Sequence, residues 1–285
     1  NFPQAAGGVH WIGRIAPASS TLGGTQTNAA PVVNVAGPAN NSSFKKYALV
    51  TISASASDSG GSISNVRFFV DQQFLSPADS SAPYATIWSP QKNGTYALTA
   101  LATDNRGAVT ASAPITITIT GTIAPPTFSN SGFETPALGA GNYQYSPPGA
   151  SWTFTPVSGL GGSGISGNGS AFTFQNPNAP AGAQVGVIQG PVTLSQVLNF
   201  ASTGIYYLEF SAAQRYSNQT FLALQLRVDG LNVGQPFGPD DDSYQTIQSS
   251  TFPITTTGNH TITLVGVNDG YDNTIFFDQM SVRAH

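Results

Sequence analysis

Apolar and polar positions alternate with period two along most of the chain. Val50, Ile52, Ala54 and Ala56 fall on one face, and after the turn "SDSGGS" Val66, Phe68 and Val70 share another. Tyr96, Leu98, Ala100 and Ala102 come next, and after the turn "DNRG" Ile115, Ile117 and Ile119 close this stretch. Side chains of a strand point alternately to its two faces, so each set marks the buried face of a half-exposed strand. Short strands of this kind, separated by Gly, Asp and Asn turns, predict a β-sandwich. The pattern then repeats. Ile205, Tyr207 and then Phe210 lead into "SAAQR". Leu222, Leu224, Leu226 and Val228 form a one-face stripe ended by Asp229-Gly230. Ile262 and Leu264 begin another stripe, and "TIFFDQMSV" reads as the last strand. The fold class expected is all-β, with two linked sandwiches.

Turn-rich and proline-rich stretches divide the chain. "TGTIAPPTF" separates the two alternating regions, and Pro125-Pro126 stiffens it. "VHWIGRIAP" carries a short, irregular apolar run, and "SSTLGGTQTNAAP" after it has linker composition. The organisation expected is a lead-in at 1–28, a first sandwich at 29–120, a linker at 121–127 and a second sandwich at 128–285. The lead-in is either the tail of an upstream domain or a segment folded back on the first sandwich.

Composition narrows the chemistry. Charged residues are 8% of the chain, against about 25% in ordinary globular domains. Soluble helices need Lys, Glu and Arg on their wet faces, so few helices can form. Hydroxyls and amides must solvate the surface instead. A net charge of −4 draws neither nucleic acid nor an anionic membrane. No apolar run reaches the ~20 residues of a membrane span. There is no cysteine, which excludes disulfides, thiolate nucleophiles and thiolate metal sites. That usage suits a secreted bacterial protein better than a secreted eukaryotic one. With Asn at position 1 and Met280 as the sole methionine, the chain reads as processed or cut from something larger.

Two resemblances add to this. "VTISASASDSGGSISNVRFFVDQQFL", "APYATIW" and "NGTYALTALATDNRGAVTASAPITITI" resemble the bacterial immunoglobulin-like domain that recurs in secreted polysaccharidases. The resemblance implies a spacer fold and no chemistry, with Trp88 as its core tryptophan. "NSGFETPALGAGNYQYSPPGASWTF", "VGVIQGPVTLSQVLNFASTGIYYLEFSAAQR", "LQLRVDG" and "IFFDQMSV" resemble jelly-roll sandwiches with a galactose-binding-domain-like fold, among them many carbohydrate-binding modules. In those modules a carboxylate just after the opening Gly-Phe and an aspartate of the closing strand share a structural Ca²⁺. The resemblance therefore implies a Ca²⁺ site at Glu134 and Asp278. Ligand chemistry agrees, because calcium takes carboxylate and carbonyl oxygens. The alternative for Glu134, one of only two glutamates, is a solvated side chain or a cap on turn amides.

No catalytic site is expected. Glycosidases place two carboxylates across the scissile bond, and Glu209 is better read as an ion-pair partner of Arg215 or Arg227. His10, His260 and His285 lie in no triad context, and neither HExxH, GxSxG nor a phosphate loop occurs. Sugar recognition needs aromatic faces for the pyranose C–H groups and planar polar groups for its hydroxyls. The candidates are Tyr143, Tyr145, Trp152, Gln214, Arg215, Tyr216, Gln225 and Arg227. Trp152 is alternatively a core residue, since Trp152-Thr153-Phe154 alternates. The loops "GPDDDSY" and "NDGYDN" are the fallback location. The function expected is non-catalytic polysaccharide binding by the C-terminal part of a secreted bacterial polysaccharide-degrading enzyme. The partners would be a poly- or oligosaccharide and an upstream catalytic domain, and the chain would be a monomer. A structural or adhesive cell-surface segment is the alternative.

Overall fold

The computed structural model describes residues 27–155, 161–216, 222–267 and 273–285. Of the lead-in expected at 1–28, residues 1–26 lie outside this range, as do 268–272 of "NDGYDN". Among the described residues there are strands and turns but no helix, as the scarcity of charge requires.

Nine strands make the first sandwich: β1 (Val32–Gly37), β2 (Ser43–Lys46), β3 (Val50–Ser57), β4 (Ile63–Val70), β5 (Gln73–Asp79), β6 (Tyr84–Trp88), β7 (Gly94–Asp104), β8 (Val109–Ala111) and β9 (Ile115–Thr122). One sheet has the order β1-β3-β6. The other runs β2-β9-β7-β4-β5, with β8 added to β7. Their facing sides bury Ile52, Val66, Phe68, Leu98, Ala100 and Ile117, the stripes expected from alternation. Trp88 closes this core, its ring edge-on to Tyr96 at 5.0 Å between centroids.

Twelve strands make the second: β10 (Tyr143–Tyr145), β11 (Thr153–Phe154), β12 (Gly162–Gly167), β13 (Gln184–Gln189), β14 (Thr193–Phe200), β15 (Gly204–Gln214), β16 (Leu224–Val228), β17 (Leu231–Phe237), β18 (Gln245–Gln248), β19 (Phe252–Ile254), β20 (Gly258–Gly266) and β21 (Thr274–Ala284). A seven-stranded sheet, β10-β12-β13-β21-β15-β18 with β19 beside β15, faces a five-stranded sheet, β11-β14-β20-β16-β17. The closing strand β21 is thus central, between β13 and β15. Leu222, Leu224 and Leu226 are buried as expected. In β15 either Tyr206 or Tyr207 could be the core residue, and the structure selects Tyr206. Tyr206, Leu208 and Phe210 face the core, and Ile205 and Tyr207 lie on the other side. Both faces of that strand carry apolar residues, so alternation alone left the phase to Phe210, which shares parity with Tyr206.

Long loops cross the ends of this sandwich, and glutamine side chains hold their backbones. Gln196 accepts from Ser129 N and donates to Ser129 O and Ser151 O, at 2.8–3.0 Å. Gln184 donates to Phe133 O and Pro136 O at 2.8 and 3.0 Å. A buried backbone group left unpaired is costly, and an amide side chain satisfies donor and acceptor together.

Gly186 of β13 sits where a Cβ would overlap the Phe277 ring and lie 2.7 Å from Phe133 Cζ. Overpacking a core usually costs about 1–3 kcal/mol. Gly186→Ala should lower the unfolding free energy of the second sandwich by that amount, read as a lower denaturant midpoint at unchanged slope. Wild-type stability in the variant would show that the two rings have room to move.

Candidate functional site

The opening segment of the second sandwich folds onto its closing strand. Asn130 fastens the turn: its Nδ2 donates to Thr135 O (2.6 Å) and Ala150 O (2.8 Å), and its Oδ1 accepts from Thr135 N (3.0 Å). Trp152 is stacked between Phe128 and Phe133, with centroids 5.0 and 5.1 Å away and 20° between planes in each case. Its indole N–H donates to Asn130 O at 3.0 Å. At 8% exposure Trp152 is a core residue and presents no face to a sugar. The core alternative of the alternation therefore holds, because the stack needs both of its faces.

This packing brings Glu134 and Asp278 together. Glu134 Oε1 accepts from Ala183 N and Gln184 N, each at 3.0 Å, so it caps amides across the loop. Asp278 is fully buried in β21, accepting from Ala181 N (2.8 Å) and Gln279 N (2.6 Å). Burial first, and the negative charge of Glu134 as well, push its carboxyl up to about 6 against the opposing pull of those amides. Such a pair is anion-rich and short of positive charge, and its side-chain donors are all oxygens. Among the described residues no third Asp, Glu, His or Cys joins them, so any further ligands would be carbonyl oxygens. That donor chemistry fits Ca²⁺, which takes about six to eight oxygens, carbonyls included.

A second assembly lies on the outer side of the seven-stranded sheet, built around Phe172. Tyr143 and Tyr145 of β10 meet its ring edge-on at 4.6 and 5.7 Å. Arg215 lies over its face at 5.1 Å and donates to Ala171 O at 3.2 Å. Val185, Val187 and Phe276 support the ring from below. Asn176 ties in the end of β15, donating to Gln214 O and Asp242 O and accepting from Tyr216 N, at 2.8–3.0 Å. Three rings from the elements that meet here stand in solvent: Tyr143 of β10 is 47% exposed, Phe174 68% and Tyr216, just after β15, 51%. Tyr145 is half-buried and pairs through its hydroxyl with Gln189 Oε1.

The structure thus unites Tyr143, Tyr145, Arg215 and Tyr216 around one segment. Gln214, Gln225 and Arg227 fall elsewhere. Gln214 is buried and pins a loop, donating to Leu222 O and Pro239 O at 2.8 Å. Gln225 is buried too, donating to Leu226 O and Val233 O at 2.9 Å. Arg227 belongs to the five-stranded sheet, where its Nε donates to Asn232 Oδ1 at 2.9 Å. Arg215 and Arg227 therefore share no sheet face: alternation tells which side of its own strand a residue occupies, not which sheet the strand joins. Glu209 pairs with Arg283, at 3.0 Å, rather than with Arg215 or Arg227. His260 sits between Asp229 Oδ2 (2.7 Å) and Thr256 O (2.9 Å), and Asp229 raises its pKa. Acceptors at both of its nitrogens give it a structural role. Phe172, Phe174 and Asn176 were missed by the sequence reading. The signal available was two phenylalanines, "AFTFQN", following a stretch rich in Gly and Ser.

With the geometry in hand, known proteins give a partial frame. Residues 31–100 match the family model of the bacterial Ig domain. The bacterial Ig match lies within the first sandwich. The chain is similar to a fibronectin(III)-like module of Clostridium thermocellum CbhA, at 25% identity over 31% of this chain and 94% of that one, with a TM-score of 0.29. It is similar to a carbohydrate-binding module of the β-sandwich superfamily, at 16% identity over 90% of this chain and 99% of that one, TM-score 0.33. It is also similar to TmCBM61, solved with β-1,4-galactotriose, at 17% identity over 57% of this chain and all 100% of that one, TM-score 0.36. No curated protein sequence matches it.

Gln214→Leu would leave two buried carbonyls and the Leu222 N–H without partners. Each such group costs about 1–3 kcal/mol. Chemical denaturation should show a loss of about 3 kcal/mol or more. A variant as stable as wild type would mean that water replaces the amide.

Proposed function

We propose that the second sandwich binds carbohydrate without catalysis, as part of a secreted bacterial polysaccharide-degrading enzyme in which the first sandwich is a spacer. The observation that carries this reading is the group of solvent-exposed rings around Phe172, Tyr143, Phe174 and Tyr216, with Arg215 and Asn176 beside them. A large apolar ring kept in water costs free energy unless a ligand covers it. Pyranose C–H faces suit such rings, and hydroxyls suit the neighbouring amide and guanidinium donors. The neutral, amide-rich surface suits an uncharged glycan. The structural or adhesive reading draws support from the internal roles of Trp152, Gln214 and Gln225, which remove three expected sugar contacts.

Affinity electrophoresis separates the two readings. Gels containing soluble β-1,4-galactan, xylan or mixed-linkage glucan should retard the chain in at least one case. Tyr143→Ala and Tyr216→Ala should each weaken that retardation about tenfold, equivalent to ~1.4 kcal/mol. Retardation unchanged in both folded variants would place the site elsewhere, and the absence of retardation in a broad glycan panel would favour the structural reading.

A structural Ca²⁺ at Glu134 and Asp278 belongs to the same proposal. Its support is the buried Asp278 carboxylate, which the exposed Glu134 carboxylate repels across the opening loop. The ion would neutralise that pair and hold the opening segment to β21. A ligand bound by the native state alone stabilises it by RT ln(1 + [L]/Kd), about 2.7 kcal/mol at a hundredfold excess over Kd. Chelator should lower the melting temperature of the wild type by several degrees and leave Glu134→Ala unaffected. A wild-type melting curve indifferent to both chelator and added Ca²⁺ would refute the site.

A further inference from the structure

The segment between the two sandwiches does not behave like a tether. Ile123 is 2% exposed and Phe128 6%, and both belong to the core of the second sandwich. The Ile123 N–H donates back to Lys46 O of the first sandwich at 3.3 Å. From the other side, the Ile205 N–H of β15 donates to Tyr47 O at 3.2 Å. Tyr47 and Ala48 pack against the core cluster that contains Ile123, Phe200 and Tyr206. Tyr47 is itself fixed: its φ is 67°, its N–H donates to Pro90 O at 2.9 Å, and Lys46 Nζ lies 5.1 Å over its ring. Pro125, Pro126, Thr127 and Phe128 then line a groove of about 490 Å³ against Met280–Arg283 of the closing strand.

Gly204 stands where these pieces meet. A Cβ there would overlap Ile123 and lie 2.8 Å from Tyr47 O, the backbone atom that accepts from the Ile205 N–H. Its φ is not in the left-handed region that favours glycine. Close approach of the first sandwich is therefore the reason for glycine at this position.

We propose that the two sandwiches form one rigid body, docked through Lys46–Ala48, Gly204-Ile205 and Ile123, with Gly204 permitting the contact. A flexible linker lets a binding module sweep a volume, whereas this interface holds it at one angle. The first sandwich then sets the direction in which the Tyr143–Phe174–Tyr216 surface faces. That aiming role rests on the carbohydrate-binding reading above; the rigidity does not. The Ile205 N–H to Tyr47 O hydrogen bond crosses the joint and constrains orientation as well as distance, because its geometry weakens steeply with angle, while Ile123 extends the β9–β2 pairing and sends its side chain into the second core. The apolar side chains excluded from water around them oppose separation.

Backbone ¹⁵N relaxation and small-angle X-ray scattering on the full chain test this without any ligand. In the wild type both sandwiches should tumble with one common correlation time, and the scattering profile should match a single fixed arrangement. Gly204→Val should split this into two shorter correlation times and raise the radius of gyration, with each sandwich keeping its own amide spectrum. If Gly204→Val disturbs the fold of β15, Ile123→Ser opens the joint from the linker side and should give the same split. Independent tumbling in the wild type, or unchanged common tumbling in both folded variants, would overturn the proposal. Failure of the glycan reading would appear separately, as a rigid chain that no polysaccharide gel retards.

Discussion

Loops that cross the end of a β-sandwich bury backbone groups that no sheet ladder serves, and in this chain neutral side-chain amides serve them. Gln184, Gln196, Gln214 and Gln225 are each buried, and each amide NH₂ donates to two backbone carbonyls. Three of them also accept from a backbone N–H through Oε1. A glutamate in the same place could accept but not donate, and a lysine could donate but not accept. Either would also carry a charge into a dry site. A chain with 8% charged residues thus holds most of these backbone groups with neutral amides, the buried Asp278 that accepts from Ala181 N being an exception.

Those pinned loops determine where the chemistry sits. Gln196 and Gln184 anchor the two ends of the opening segment, and the Phe128–Trp152–Phe133 stack fills the space between. Only then does Glu134 arrive beside Asp278, on the central strand of the seven-stranded sheet. Gln214 and Asn176 perform the same service on the other side, fixing the end of β15 so that Arg215 lies over Phe172. The same residue types thus act in two ways. Asn and Gln inside the loops are structural, and the rings those loops carry outward remain for a ligand.

The joint between the sandwiches obeys the same economy. It uses a main-chain hydrogen bond, apolar packing and a missing Cβ. Such a contact is insensitive to salt, because no exposed charges are screened.

The sequence by itself determined the class of fold and much of the core. Alternation names Val66, Phe68, Leu98, Ile117, Leu224 and Leu226 as buried, and all are. The reason is local: strand geometry converts period two directly into one wet and one dry face. Of the eight residues named as candidates from their aromatic faces and planar polar groups, Tyr143, Tyr145, Arg215 and Tyr216 come together around Phe172. Tertiary structure alone decided the rest. Trp152 looks the same on paper whether its faces are covered by Phe128 and Phe133 or by a sugar. Gln214 and Gln225 carry the same amide whether it meets a carbonyl or a hydroxyl. Arg215 just follows β15 and Arg227 lies within β16, and only the order of strands assigns those strands to different sheets. Phe172 escaped notice because its role depends on partners 27 and 29 residues before it and 43 residues after it, from β10 and the end of β15. Local pattern records which face of its own strand a residue takes, whereas a site is made where faces of different strands meet.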